Sequence, residues 1–281
     1  LHGVTHECEY PIDAKNKPRV IESVFDPENM SSKEIDDKIC FLSEKGEDIY
    51  KLVQDNLVDA KPDLIISQEI CEVCSAYTNQ VKKAIDILDD KPEIYSMSPH
   101  DIQGIFQSVK DISKIIGETE NGEKLIKELN SKVNNIKETQ FEEKPKVLGI
   151  EWLNPFFTAG HWVPDMIEYA GGLNMITKSG EHSRKMGIEE IVDADPDVII
   201  LMPCGFGINR TVSEYEKYLK EDSRWNKLRA VIENRVFAVD ANSFFSKPSI
   251  RVFTGIEILG KILHPEIFSK LEVPSNSFLK I

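Results

Sequence analysis

Histidine, cysteine and carboxylate side chains gather at three places in this sequence, and each place allows a different chemistry. Near the start, His6-Glu7-Cys8 sets an imidazole, a carboxylate and a thiol side by side. Those are the groups of a nucleophile and its base, provided the fold supplies hydrogen-bond geometry. Cys71 and Cys74 form a C-x-x-C pair, which serves as a redox couple, half a zinc site, a disulfide or two inert thiols. No second C-x-x-C or C-x-x-H completes four zinc ligands. The five cysteines, Cys8, Cys40, Cys71, Cys74 and Cys204, are too few and too odd in number to staple a chain of 281 residues. His161 opposes Cys204 as a second base and thiol, or acts as a neutral axial ligand to cobalt or iron, or merely starts a helix. The chain has no G-x-S-x-G elbow, Walker loop, G-x-G-x-x-G before a helix or H-E-x-x-H. No catalytic residue, catalytic cofactor or dedicated metal site is therefore assigned.

Aromatic side chains make a stronger signal. The stretch Glu151-Trp152-Leu153-Asn154-Pro155-Phe156-Phe157-Thr158-Ala159-Gly160-His161-Trp162 carries two of the chain's three tryptophans. A connecting turn ordinarily favours Gly, Asn, Asp and Ser. Its counterpart near the start is Thr5-His6-Glu7-Cys8-Glu9-Tyr10-Pro11. Two later turns, Met202-Pro203-Cys204-Gly205-Phe206-Gly207 and Asn242-Ser243-Phe244-Phe245-Ser246-Lys247-Pro248, add rings beside small residues. Rings next to glycines suit a flat, mostly apolar ligand, because aromatic area is buried with little rotamer entropy lost. The same rings also suit an ordinary core.

These turns need strands to carry them, and the chain repeats the strand that would do so. Asp59-Ala60-Lys61-Pro62-Asp63-Leu64-Ile65-Ile66 is matched 134 residues later by Asp193-Ala194-Asp195-Pro196-Asp197-Val198-Ile199-Ile200. Each copy reads as a helix end, a proline stop and a buried parallel strand. Strands are expected near residues 3, 63, 93, 146, 197 and 235. Helices are expected at 32–44, 47–60, 72–88, 161–170, 188–194, 212–220 and 249–263. Between the copies, residues 99–139 show only helical periodicity, as two helices in succession. The expected organisation is an α/β fold of two Rossmann-like lobes with parallel sheets, bridged by a single long α-helix. The lobes would span 1–120 and 141–281, with the bridging helix at 121–140. In such sheets ligands sit beyond the carboxyl ends of the strands, where the ring-rich turns fall.

Composition narrows the partners. With 48 acidic against 34 basic residues, a net charge of −14 opposes binding to a polyanion, so nucleic acid is excluded. No run of 18 apolar residues spans a bilayer, and Leu1 to Pro11 do not have the layout of a secretory leader. The chain is expected to start inside folded protein, with a leader or membrane tether upstream.

Six ordered strings resemble the cobalamin-binding branch of the substrate-binding proteins of ABC transporters. They are His6 to Pro11, Cys71-Glu72-Val73-Cys74, Glu151 to Phe156, Ala159 to Pro164, Met202 to Phe206 and Phe245 to Pro248. The resemblance runs from Gly3 to about Phe268, and it implies two lobes with a corrinoid such as cobalamin in the cleft between them. It also implies a small hinge motion, delivery to a membrane permease, an extracytoplasmic location and action as a monomer. The ligand residues so implied are Glu7, Cys8, Tyr10, Glu151, Trp152, Phe156, Phe157, His161, Trp162, Cys204, Gly205, Phe206, Phe244 and Phe245, with Glu72 as a permease contact. The chain departs from the family pattern by lacking a first strand and helix, and by carrying Asn154 and Ser249 where Asp and Gly are usual. Heme and ferric-siderophore receptors share this scaffold and remain alternatives, as does a cysteine-based redox or metal enzyme.

Overall fold

The computed structural model describes residues 1–69 and 78–281, so Cys71, Glu72, Cys74 and the expected helix start at residue 72 lie outside the described residues. The described chain forms two compact units, Leu1–Ser98 and Pro99–Ile281.

In the first unit the order is β1 (Val4–Thr5), β2 (Arg19–Ser23), α1 (Ser32–Glu44), β3 (Tyr50–Leu52), α2 (Gln54–Ala60), β4 (Leu64–Gln68), α3 (Thr78–Ile87) and β5 (Glu93–Met97). α1 begins where expected because Ser31 and Glu34 close a capping box, Ser31 Oγ accepting from the Glu34 amide while Glu34 accepts from the Ser31 amide. The expected helix over 47–60 is a strand followed by a two-turn helix. β3 pairs antiparallel with β2, Ile21 opposite Leu52, and that pairing outweighs the local helical pattern. β1 joins β2 in parallel, and β4 and β5 form a separate parallel pair. The sheets of this unit are thus mixed rather than wholly parallel.

The second unit contains α4 (Ile102–Ile115), α5 (Thr119–Lys137), β6 (Lys146–Leu153), β7 (Phe156–Thr158), α6 (Val163–Tyr169), β8 (Leu173–Asn174), α7 (Ile188–Ala194), β9 (Val198–Leu201), α8 (Ile208–Tyr218), α9 (Arg229–Ile232), β10 (Val236–Val239), α10 (Ala241–Phe244), α11 (Val252–Leu263) and β11 (Phe278–Lys280). Its sheet runs β11-β10-β9-β6-β7, with β8 also on β6. β10, β9, β6 and β8 are parallel, while β7 and β11 are antiparallel. All of Val198 to Leu201 is buried, as a strand covered on both faces requires. Leu148, Ile150, Ile199 and Leu201 turn to a core around the fully buried Trp225. On the other face a Cβ at Gly149 would meet Ala159, Met202 and Ile167, so that residue keeps β6 close to α6.

The repeat is visible in both units. α2 and α7 end at Ala60 and Ala194, and each is capped by a non-glycine residue in the left-handed region, Lys61 at φ 43° and Asp195 at φ 42°. Strands starting at Leu64 and Val198 follow. The boundary between units falls at Ser98/Pro99, ahead of the expected 120 and 140. The reason is that α4 and α5 belong to the second unit: Leu129, Val133 and Ile136 of α5 are buried, and α5 packs on α4, α6 and α11. A Cβ at Gly122 would stand 2.4 Å from Ser113 Cβ, which fixes how closely α5 follows α4. Ile136→Ala is therefore expected to lower urea-unfolding stability by about 3 kcal/mol. Ile116→Ala, at an exposed position, should change it by less than about 0.5 kcal/mol.

Candidate functional site

Because β6, β9 and β10 are neighbours and parallel, the turns leaving their carboxyl ends are brought together by the sheet itself. Backbone and side-chain bonds then tie those turns to one another. The Cys204 amide donates to Glu151 O (3.1 Å), the Gly205 amide to Ser246 Oγ (3.2 Å) and the Asn242 amide to Phe206 O (3.1 Å). Glu151 spends its carboxylate inside this assembly, accepting from the Gly160 amide at 3.2 Å. Gly205 sits at φ 77°, a conformation that a side-chain-bearing residue adopts only at a cost.

The rings divide into two groups. Trp162, Phe206 and Phe245 are only 5%, 2% and 2% exposed, and the Trp162 indole donates to Phe245 O at 2.9 Å. These three are buried, where an apolar ring is stabilised by the protein packed against it. Phe156 stacks on Trp225, 6.1 Å between centroids and 14° between planes, so it too serves the core beneath the site. Trp152, Phe157 and Phe244 are half-buried. Trp152 meets the edge of Phe206 (5.2 Å), Lys185 Nζ lies 5.6 Å from the Phe157 centroid and Arg251 lies 4.9 Å from that of Phe244. Arg210 covers Phe206 at 3.6 Å. These cations were missed in the sequence, where nothing local marks a basic residue as a partner of a distant ring.

In the first unit, Tyr10 is 59% exposed. Glu7 lies 3.7 Å from His6, and Cys8 Sγ is 3.4 Å from Thr5 Oγ1. The turn is held by Arg19, whose Nη1 donates to Thr5 O and Cys8 O at 2.8 and 2.9 Å. His6 and Cys8 share this turn, but the recorded partner of the thiol is Thr5.

The densest chemistry is a cluster of three histidines within the second unit. His100, His161 and His182 each offer a ring nitrogen, and those three atoms lie within 4.8 Å of one another. Ring centroids are 5.8 Å apart for His100 and His161, 5.2 Å for His100 and His182, and 5.0 Å for His161 and His182. Cys204, expected to oppose His161, is not one of the residues grouped in this cluster. Position 160 explains the cluster. A Cβ there would lie 2.5 Å from Ser183 N and 2.7 Å from Glu181 O, so only glycine lets the 177–184 loop lie against the backbone. His161, at φ 54°, donates its amide to Glu181 O (2.6 Å) and accepts from the Gly180 amide (3.0 Å). Thr177 Oγ1 and Ser183 Oγ donate to Ala159 O and Thr158 O at 2.7 and 2.8 Å. His100 precedes Asp101, the N-cap of α4, and the Ile102 amide donates to Asp165 Oδ2 on α6 at 3.1 Å. Of the three, the sequence reading singled out only His161. The others lie 61 positions before it and 21 after it, and no spacing rule joins them.

The comparisons agree with this architecture. A model of the family described as "Periplasmic binding protein" matches residues 14–243. The chain belongs to the periplasmic binding protein family. Among curated relatives, the high-affinity heme uptake system protein IsdE of Staphylococcus aureus is 26% identical over 151 residues, covering 50% of this chain and 51% of that protein. This periplasmic binding protein thus spans about half the length of the curated relatives it matches. A solved structure of a possible iron-binding (periplasmic solute-binding) protein from Staphylococcus epidermidis is 21% identical, with a TM-score of 0.67, covering 94% and 90% of the two chains. The periplasmic vitamin B12 binding protein BtuF of Vibrio cholerae is 16% identical with a TM-score of 0.60, covering 94% and 88%. These likenesses establish the fold. Among the described residues, no helix is long and apolar enough to cross a membrane.

Burial first, then the neighbouring His182 and His100 imidazoles, push the pKa of His161 down from 6.5 to about 4. The unfolded chain therefore takes up a proton in that window that the folded chain refuses. The stability tied to this group is complete above pH 6.5 and is lost as the pH falls toward 4. In chelated buffer, going from about pH 7.5 to about pH 5 should remove about 2 kcal/mol through this residue. His161→Asn, which tolerates the left-handed backbone, should show a correspondingly smaller loss by urea unfolding at the two pH values.

Proposed function

We propose that this chain is the substrate-binding protein of an ABC importer, located outside the cytoplasm, and that its cargo is a corrinoid of the cobalamin type handed to a membrane permease. The observation that carries the reading is a family match over residues 14–243 on a fold that leaves Trp152 near the end of β6, Phe157 in β7 and Phe244 at the end of α10 only half-buried. A macrocycle lying on those rings would gain contact area at little entropic cost. Lys185 and Arg251, set over two of the rings, would meet a phosphate or carboxylate on the rim. Glu7 and Tyr10 of the first unit remain candidate contacts. Cys204 and Gly205 are assigned to the backbone of the ligand-facing turn, and Glu151 to holding that turn in place. For the choice of corrinoid, support comes from the six motifs and the fold likeness to the vitamin B12 binder. A heme cargo is the second reading, favoured by the relative named for heme uptake.

Titration with cyanocobalamin and, separately, hemin, followed by tryptophan fluorescence, tests this. Cyanocobalamin should quench with a Kd of about 1 µM or tighter, and Trp152→Ala should weaken it by about tenfold or more. Binding of hemin alone would replace the corrinoid with heme. Binding of neither would overturn the tetrapyrrole reading.

A further inference from the structure

We infer that His100, His161 and His182 form a binding site for one divalent transition-metal ion of the zinc class. The site stands on its own residues and holds whether or not the cargo is a corrinoid.

Three imidazoles with no carboxylate among them are a donor set for zinc, cobalt, nickel or copper and a poor one for calcium or magnesium, which prefer oxygen. A tetrahedral ion with Zn–N bonds of about 2.0–2.1 Å needs ligand atoms about 3.4 Å apart. The three nitrogens already lie within 4.8 Å of one another. The remaining closure is a side-chain adjustment, and His182 is the residue free to make it, because it is exposed at the surface end of the cluster. The other two are held by the fold. His161 is pinned between Gly180 and Glu181 by paired backbone bonds, and His100 is set by the capped start of α4.

A second observation points to a ligand at the same place. His161 Nδ1 is buried with no hydrogen-bond partner. A buried polar atom left in that state costs about 1–3 kcal/mol, and coordination through Nδ1 would relieve the cost. The exposure of His182 leaves a fourth position open to water or to an oxygen or nitrogen atom of an incoming molecule, as in three-ligand zinc sites. The cluster also differs from an axial arrangement. The metal of a flat macrocycle offers one coordination position per face, so it satisfies one of these rings, whereas an aqua ion satisfies all three.

The test uses metal-stripped protein with its thiols alkylated, so that cysteines make no contribution and no tetrapyrrole is present. Co2+ titration is followed by visible absorption, and Zn2+ affinity is measured by competition with a chromophoric chelator. The expected result is one ion per chain, a tetrahedral Co2+ spectrum, and Zn2+ affinity weakened at least tenfold in His182→Ala and in His100→Ala. Circular dichroism checks that both variants are folded; His182 is exposed, so its truncation removes little packing beyond its ring contacts with His100 and His161. Absence of Zn2+ binding tighter than about 100 µM, or affinity unchanged within twofold in both variants, would overturn the assignment. Because no corrinoid or heme enters the assay, its failure would leave the cargo reading untouched.

Discussion

Residue 160 has no room for a side chain, since any Cβ would press into Ser183 N, Glu181 O and His182 C, and most of the site follows from that contact. With glycine there, the strip Thr158–His161 exchanges backbone and hydroxyl hydrogen bonds with the 177–184 loop. That contact forces His161 into the left-handed region and places His182 against it. It also lets the Glu151 carboxylate reach the Gly160 amide, which ties the loop back to the end of β6. One steric condition thus connects the sheet, the ring-bearing turns and the histidine cluster.

The sheet supplies the other half of the design. With β6, β9 and β10 adjacent and parallel, three turns far apart in sequence leave the same edge, as ligand sites in open α/β sheets do. Burying Trp162, Phe206 and Phe245 under that edge makes it rigid. Trp152, which meets Phe206 of that layer, stays half-buried, as do Phe157 and Phe244. Under the proposed function such a division favours capture, because preorganised contacts lose little entropy on binding.

Much of this was legible in the sequence wherever the signal was local. The Asp-Ala-x-Pro-Asp repeat gave helix ends at Ala60 and Ala194 and strands beginning at Leu64 and Val198, since a capped helix end and a buried β-branched run are short-range features. β2 and β3 were not legible: Arg19–Ser23 and Tyr50–Leu52 become strands by pairing with each other, and the second lies within a stretch of helical pattern. The site followed the same division. The sequence marked which turns were rich in rings, but whether a ring is buried depends on its neighbours, so Trp152 and Phe206 read alike although one is half-exposed and the other interior. The histidine cluster is wholly tertiary, assembled from three separate segments, and only its middle member stood in a conspicuous motif.

The claim at the centre is that ligand is captured at the strand-end turns of the second unit. Hydrogen–deuterium exchange with and without the tetrapyrrole that quenches the tryptophans tests it most directly. The account predicts slowed exchange concentrated in residues 151–162, 202–207 and 241–247. Saturating ligand that leaves all of these segments unchanged while protecting amides elsewhere would contradict it.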